Sequence, residues 1–185
     1  MKTIPTISFV DAIKLALGKC VSFKGRSRRS EYWWTALAIS IVNVILYLSC
    51  SDFSNVGVIL LYWIINILSG LFMIPIAFRR LHDTGRSGWW YGAFFILNIL
   101  ITSYFIFEVV SLVTASMGMG ISADMYSTFV SLGMKYLFLG LVQIIYAIVL
   151  LVFLCMDSEQ GTNKYGPSPK YIEEEEGTAE SYSKI

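Results

Sequence analysis

At 185 residues the chain has the length of a single domain. Hydrophobic residues make up 56% of it and charged residues 15%, against about 45–50% and about 25% in soluble domains, so composition argues against a water-soluble core and for a bilayer-embedded protein. The net charge of +1 carries little by itself, because the charges are bunched between long apolar runs.

Taken in order, residues 1–7 form a loose leader containing Pro5. Ser8 stands where a helix cap belongs, with Asp11 three residues on, which approximates a capping box. Phe9, Ile13, Ala16, Leu17 and Cys20 then share one helical face, while Asp11, Lys14 and Lys19 point elsewhere. This stretch is too short to span a bilayer. It reads as an amphipathic helix lying in the membrane interface, or as a helix packed on the domain's own cytoplasmic face. Gly25-Arg26-Ser27-Arg28-Arg29-Ser30-Glu31 follows as a basic cluster. Tyr32-Trp33-Trp34 is an aromatic girdle of the kind found where a spanning helix enters at the head-group level. The first long apolar run begins only near Tyr32, so no cleavable signal peptide is expected.

Four apolar runs come next, over about 32–50, 56–78, 89–113 and 134–156, each near the roughly 20 residues that a hydrocarbon core requires. Pro75 predicts a kink near the end of the second, and Lys135 stands at the start of the fourth. The connection from Thr114 to Gly133 is polar and rich in small residues, with a weak signal for a short surface helix. Gly161, Asn163, Gly166, Pro167 and Pro169 then form a run of turn residues. Residues 173–176 are four glutamates, and the tail from about 171 reads as disordered. The three cysteines, Cys20, Cys50 and Cys155, have no CxxC spacing and read as small apolar residues, with neither a disulfide framework nor a metal site.

Lysine and arginine counts run 7 before the first span, then 0, 3, 1 (the 114–133 region with Lys135) and 3, which accounts for all fourteen. By the positive-inside rule both termini and the loop 79–88 are expected in the cytoplasm.

Three stretches carry a resemblance. Phe23-Lys24-Gly25-Arg26-Ser27-Arg28-Arg29-Ser30-Glu31-Tyr32-Trp33 resembles the opening motif of the YhaH-like bacterial inner-membrane proteins, domain-of-unknown-function family 805. Arg79-Arg80-Leu81-His82-Asp83-Thr84-Gly85-Arg86-Ser87-Gly88-Trp89-Trp90 is similar to that family's central signature, and Asn163-Lys164-Tyr165-Gly166-Pro167-Ser168-Pro169 to its C-terminal one. The resemblance runs from about residue 9 to 170. It implies a small multi-helix protein of the bacterial plasma membrane and no particular activity. The long 114–133 connection departs from it.

All three motifs fall on the predicted cytoplasmic side, where they can converge into one polar platform. Arg26, Arg28, Arg29, Arg79, Arg80 and Arg86 then stand near anionic lipid, with Asp83, Glu31 and Asp157 as nearby acids. Arginine suits bidentate phosphate contact, and juxtamembrane basic residues attract anionic leaflets. Gly85, Ser87 and Gly88 precede a helix start that can offer backbone N–H groups to a phosphate. Head-group or partner binding by Arg26, Arg28, Arg29, Arg79, Arg80, His82, Asp83, Arg86, Ser87 and Trp89 is one reading. The other is topology setting, with Arg–Asp and Arg–Glu pairs that fold the hairpin. His82-Asp83 invites a catalytic reading, but adjacent helical residues do not face each other, and a single histidine completes no metal site. An enzyme acting on a lipid-linked substrate is the minor alternative.

Each span also carries one amide near its middle: Asn43, Asn66, Asn98 and Gln143. At about 1.5 Å per residue they lie roughly 13–20 Å deep and can form one interhelical polar layer. Such amides act as glue between helices, or line the path of a small channel or transporter. No acid or base stands in that layer, which argues against ion-coupled transport.

The expected fold is thus an all-α membrane protein: an N-terminal amphipathic interfacial helix within a cytoplasmic segment 1–31, a four-helix transmembrane bundle 32–156, and a cytoplasmic tail 157–185. The expected function is non-enzymatic, with anionic lipid head groups, a protein partner or a second copy of the chain as partners. Cofactor, metal and nucleic acid are not expected.

Overall fold

The computed structural model of the chain describes residues 2–49, 56–119 and 123–172. Among them are five helices, α1 (Phe9–Gly18), α2 (Arg29–Ser49), α3 (Val56–Asp83), α4 (Trp89–Met119) and α5 (Ala123–Cys155), and two short strands, β1 (Lys2–Thr3) and β2 (Tyr171–Ile172). Four helical stretches, Arg29–Ser49, Gly57–Asp83, Trp89–Thr114 and Tyr126–Cys155, are long and apolar enough to cross a membrane.

Helical structure extends beyond the apolar runs at three places. α2 begins at Arg29, before the aromatic girdle. α3 passes through Pro75 without a break and carries Arg79-Arg80-Leu81-His82-Asp83 as its last turn, where the sequence suggested a loop. α4 continues to Met119 and α5 starts at Ala123, so most of the expected 114–133 connection is helix. A backbone leaving the hydrocarbon core keeps its internal hydrogen bonds wherever side chains can cover it, and apolarity alone does not mark that end. The two strands were not anticipated. They pair antiparallel, Lys2 with Ile172 and Thr3 with Tyr171, and tie the start of the chain to its C-terminal segment. The expected disordered tail lies, from residue 173, outside the described residues.

The chain divides into two compact units, Met1–Trp89 with Leu154–Ile185, and Trp90–Phe153. In the first, Ser8 caps α1 by accepting the Asp11 backbone N–H at 3.2 Å on Oγ. α1 buries Ala12 and Ala16, one turn apart, and packs on α2. Two small residues at that spacing permit close approach of the helices. Phe9 meets Trp34 edge to face at 5.7 Å between ring centroids, while Val10 and Leu17 stay exposed. α2 packs on α3, with the Ser69 hydroxyl donating to Asn43 Oδ1 at 3.5 Å.

In the second unit α4 and α5 meet through large side chains. Phe94 and Tyr146 lie 5.2 Å apart, Phe105 and Tyr136 4.8 Å, both edge to face. The Gln143 amide donates to Asn98 Oδ1 at 3.1 Å.

Candidate functional site

The polar residues of the first unit gather where α2 begins and α3 ends. α3 stops at Gly85, whose φ of +72° is the left-handed conformation that glycine adopts without strain. Arg86 N donates to Leu81 O at 3.0 Å and Gly85 N to His82 O at 3.1 Å, the bond pair of a Schellman cap. Gly88 serves closeness instead: a Cβ there would overlap the Phe78 side chain. These two requirements explain both glycines of the central motif.

Asp83, fully buried in that last turn, is the centre of the site. Its Oδ1 accepts from Arg26 Nε at 2.9 Å, and its Oδ2 from Arg80 Nη1 at 2.6 Å and Ser158 Oγ at 2.5 Å. Arg26 places its remaining N–H groups on the carbonyls of Gly161, Gly166, Asp83 and Glu159. Arg80 donates to Leu154 O at 3.0 Å and to Met156 O, so it caps the last carbonyls of α5, where the helix dipole is negative. Arg79 and Glu31 form a second buried pair at 3.2 Å. That pair is at ion-pair distance but misaligned for a hydrogen bond, and Arg79 Nε, Nη1 and Nη2, Glu31 Oε1 and Ser27 Oγ have no hydrogen-bond partner.

Buried cations therefore outnumber buried acids in this cluster: Arg26, Arg79 and Arg80 against Glu31 and Asp83. Carbonyl oxygens from three parts of the chain supply the remaining negative potential. The cluster knits residues 26–31, the end of α3 and residues 154–166 into one cap.

Around it the other motif residues take separate positions. Arg28 is buried and donates to Pro5 O at 2.6 Å and Ile4 O at 2.8 Å. Arg29 is exposed and lies 3.1 Å from Asp157. His82 is half-buried, with Nδ1 3.3 Å from Gly25 O and its ring stacked on Tyr165 at 3.7 Å. Asn163 Nδ2 donates to His82 O at 3.0 Å. Arg86 donates to Thr84 O at 3.3 Å. Ser87 Oγ accepts from Trp89 N at 3.4 Å, and the exposed Trp89 ring meets Phe78 at 5.9 Å. The three sequence motifs thus come together, but Arg26 and Arg80 face Asp83, and Arg79 faces Glu31, all away from solvent.

Two contributors were not singled out from sequence. Ser158 and Lys170 lie in a short polar segment with no periodicity to mark them. Lys170 Nζ holds both oxygens of Asp157, at 2.7 and 2.5 Å. That ammonium keeps the Asp157 carboxyl down at about 2, and Asp157 raises Lys170 above its ordinary value.

Two cavities open beside Arg29. One, about 190 Å³, is lined by Ile4, Thr6, Arg28, Arg29, Ser30, Ser158 and Lys170. The other, about 610 Å³, shares Thr6, Arg29 and Ser30 and is otherwise walled by Ile7, Trp33, Trp34 and Leu37. Side by side they form a basic pocket and an apolar trough with common residues between them.

The amides divide between the units. Asn43 receives Ser69, and Asn66 donates to the Tyr62 carbonyl of its own helix at 2.9 Å. Asn98 donates to the Phe94 carbonyl of its own helix at 2.8 Å and receives Gln143. Among the described residues no group of three His, Cys, Asp or Glu side chains is placed to hold a metal ion.

The chain is 29% identical over 158 residues to the inner membrane protein YhaI of Escherichia coli K12, covering 82% of this chain and 88% of that one. It is 40% identical over 81 residues to the inner membrane protein YhaH of the same organism, covering 41% of this chain and 65% of that one. No solved structure matches significantly. Residues 20–167, which include the first two motifs of the cap and most of the third, match the family described as protein of unknown function DUF805. With four helices able to span a bilayer and relatives in the bacterial inner membrane, the chain belongs to the DUF805 family of inner-membrane proteins.

Proposed function

We propose that the protein is a non-enzymatic plasma-membrane protein whose cap faces the cytoplasm and binds an anionic phospholipid at its rim. The observation that carries this reading is the pair of adjoining cavities around Arg29. The basic one is lined by Arg28, Arg29 and Lys170, the last two sharing Asp157 as their acid, at a size fitting a phosphate. The apolar one offers Trp33, Trp34 and Leu37 to an acyl chain. A phosphate joined to a chain matches both at once, and the lysine and arginine count favours this end at the anionic inner leaflet. α1, with Phe9 against Trp34 of the trough and Val10 and Leu17 exposed, then lies in the interface. The buried Arg26, Arg79 and Arg80 serve in this reading as the scaffold that fixes the rim.

Native mass spectrometry of the full chain, released from bilayers of mixed phosphatidylglycerol and phosphatidylcholine, tests this. Phosphatidylglycerol should be retained preferentially. Arg29→Gln with Lys170→Gln should weaken it about 30-fold, from about 1 kcal/mol per basic residue. Unchanged retention in that variant rejects the reading. The channel alternative has less support, because Asn66 and Asn98 donate to carbonyls of their own helices and Gln143 to Asn98. Of these bonds the one from Gln143 to Asn98 joins two helices, as interhelical glue.

A further inference from the structure

Two opposite charges face each other within the mostly apolar α4–α5 pair. Glu108 Oε1 lies 2.8 Å from Lys135 Nζ, which also donates to Tyr104 Oη at 2.9 Å. The same Nζ sits 4.3 Å from the Tyr104 ring centroid, within cation–π range. Beside them opens a cavity of about 330 Å³, lined by Glu108, Ser111, Leu112, Thr128, Ser131 and Lys135.

The pair is not self-contained. Two of the three ammonium hydrogens have these acceptors, and Glu108 Oε2 is buried without a hydrogen-bond partner. A buried carboxylate oxygen without a donor is costly and calls for one. Ser111 and Ser131 donate to the carbonyls of Glu108 and Thr128, which leaves their oxygens as acceptors. Glu108 stands about 28 Å along α4 from Trp89, close to the roughly 30 Å of a hydrocarbon core. The cavity therefore belongs at the head-group level opposite Trp89 and not at mid-membrane.

We propose that this cavity binds a zwitterionic group carrying a primary ammonium and a phosphate. The ammonium donates to Glu108 Oε2, and the phosphate accepts from Lys135 Nζ. A lone cation would meet the Lys135 charge and a lone anion the Glu108 charge, so a ligand of both signs gains from both side chains. A quaternary ammonium lacks the N–H that Glu108 Oε2 requires. An ethanolamine phospholipid and soluble phosphoethanolamine both supply it.

The full chain in phosphatidylcholine nanodiscs doped with phosphatidylethanolamine provides the test, with bound lipid read by native mass spectrometry. Phosphatidylethanolamine should be retained about tenfold over phosphatidylcholine, the size of one hydrogen bond to a charged group. Glu108→Gln with Lys135→Gln should abolish the preference while keeping a polar bridge between the helices, its fold checked by circular dichroism. Should that variant unfold, Thr128→Leu with Ser131→Leu fills the cavity, leaves the ion pair in place and should abolish the preference equally. Calorimetric binding of soluble phosphoethanolamine without any lipid preference assigns the same site to a soluble ligand. Equal retention of the two lipids with no phosphoethanolamine binding overturns the proposal, as does a preference that survives in either folded variant.

Discussion

Asp83 receives Arg26, Arg80 and Ser158 on its two oxygens, and every one of those groups is buried. Removing one member of such a cluster leaves charges that water cannot reach, and that loss exceeds the net worth of the intact pair. Asp83→Asn keeps the shape and removes the charge. It should destabilise the folded chain by about 3–5 kcal/mol, read as a lowered melting temperature in detergent, whereas Arg29→Gln at the exposed Arg29–Asp157 pair should have little effect. The arginines and the aspartate were all legible as a motif. Their burial was not, because a guanidinium facing lipid phosphate and one facing Asp83 look identical along the chain. The carbonyls of Gly161, Gly166 and Glu159 that complete Arg26 leave no residue-type signal at all.

At the level of elements, the cap is closed by a clamp between the chain's two ends. Ile4 N donates to Lys170 O at 2.9 Å beside the β1–β2 pair, and Lys170 grips Asp157. The Asp157 carboxyl is held down from its ordinary 3.8 to about 2, so its contribution is fully present above the ordinary value and is lost as pH falls through about 2. Lys170 is raised, so its share is present at neutral pH and lost only as pH rises past its raised value. The protection factor of the Ile4 amide should therefore be high and flat across the neutral range. Asp157→Asn should lower it at pH 7, and equal protection in that variant would refute the clamp. The spans themselves were plain from apolarity, and the Ser8 cap of α1 from its residue type. The ends of α3, α4 and α5 were not, since polar helical turns persist where tertiary contacts cover them.

For the molecule as a whole, the proposed orientation puts both termini in the cytoplasm. A fluorescent protein fused after residue 185 should then mature, and a phosphatase active only after export should stay silent at the same position. The reverse pattern would place the Arg29 rim away from the anionic inner leaflet and remove the basis of the lipid reading. By itself the sequence determined the membrane class, four apolar helices and the family, because lipid solvation is read from composition and run length, and motifs from residue identity. Only the tertiary structure decided that Arg26 and Arg80 close on Asp83 and Arg79 on Glu31 while Arg29 and Lys170 remain at the rim. It alone paired Glu108 with Lys135 and strand β1 with β2. Charge is a property of the residue, but whether it meets water, lipid or an opposite charge depends on which distant segments share its volume.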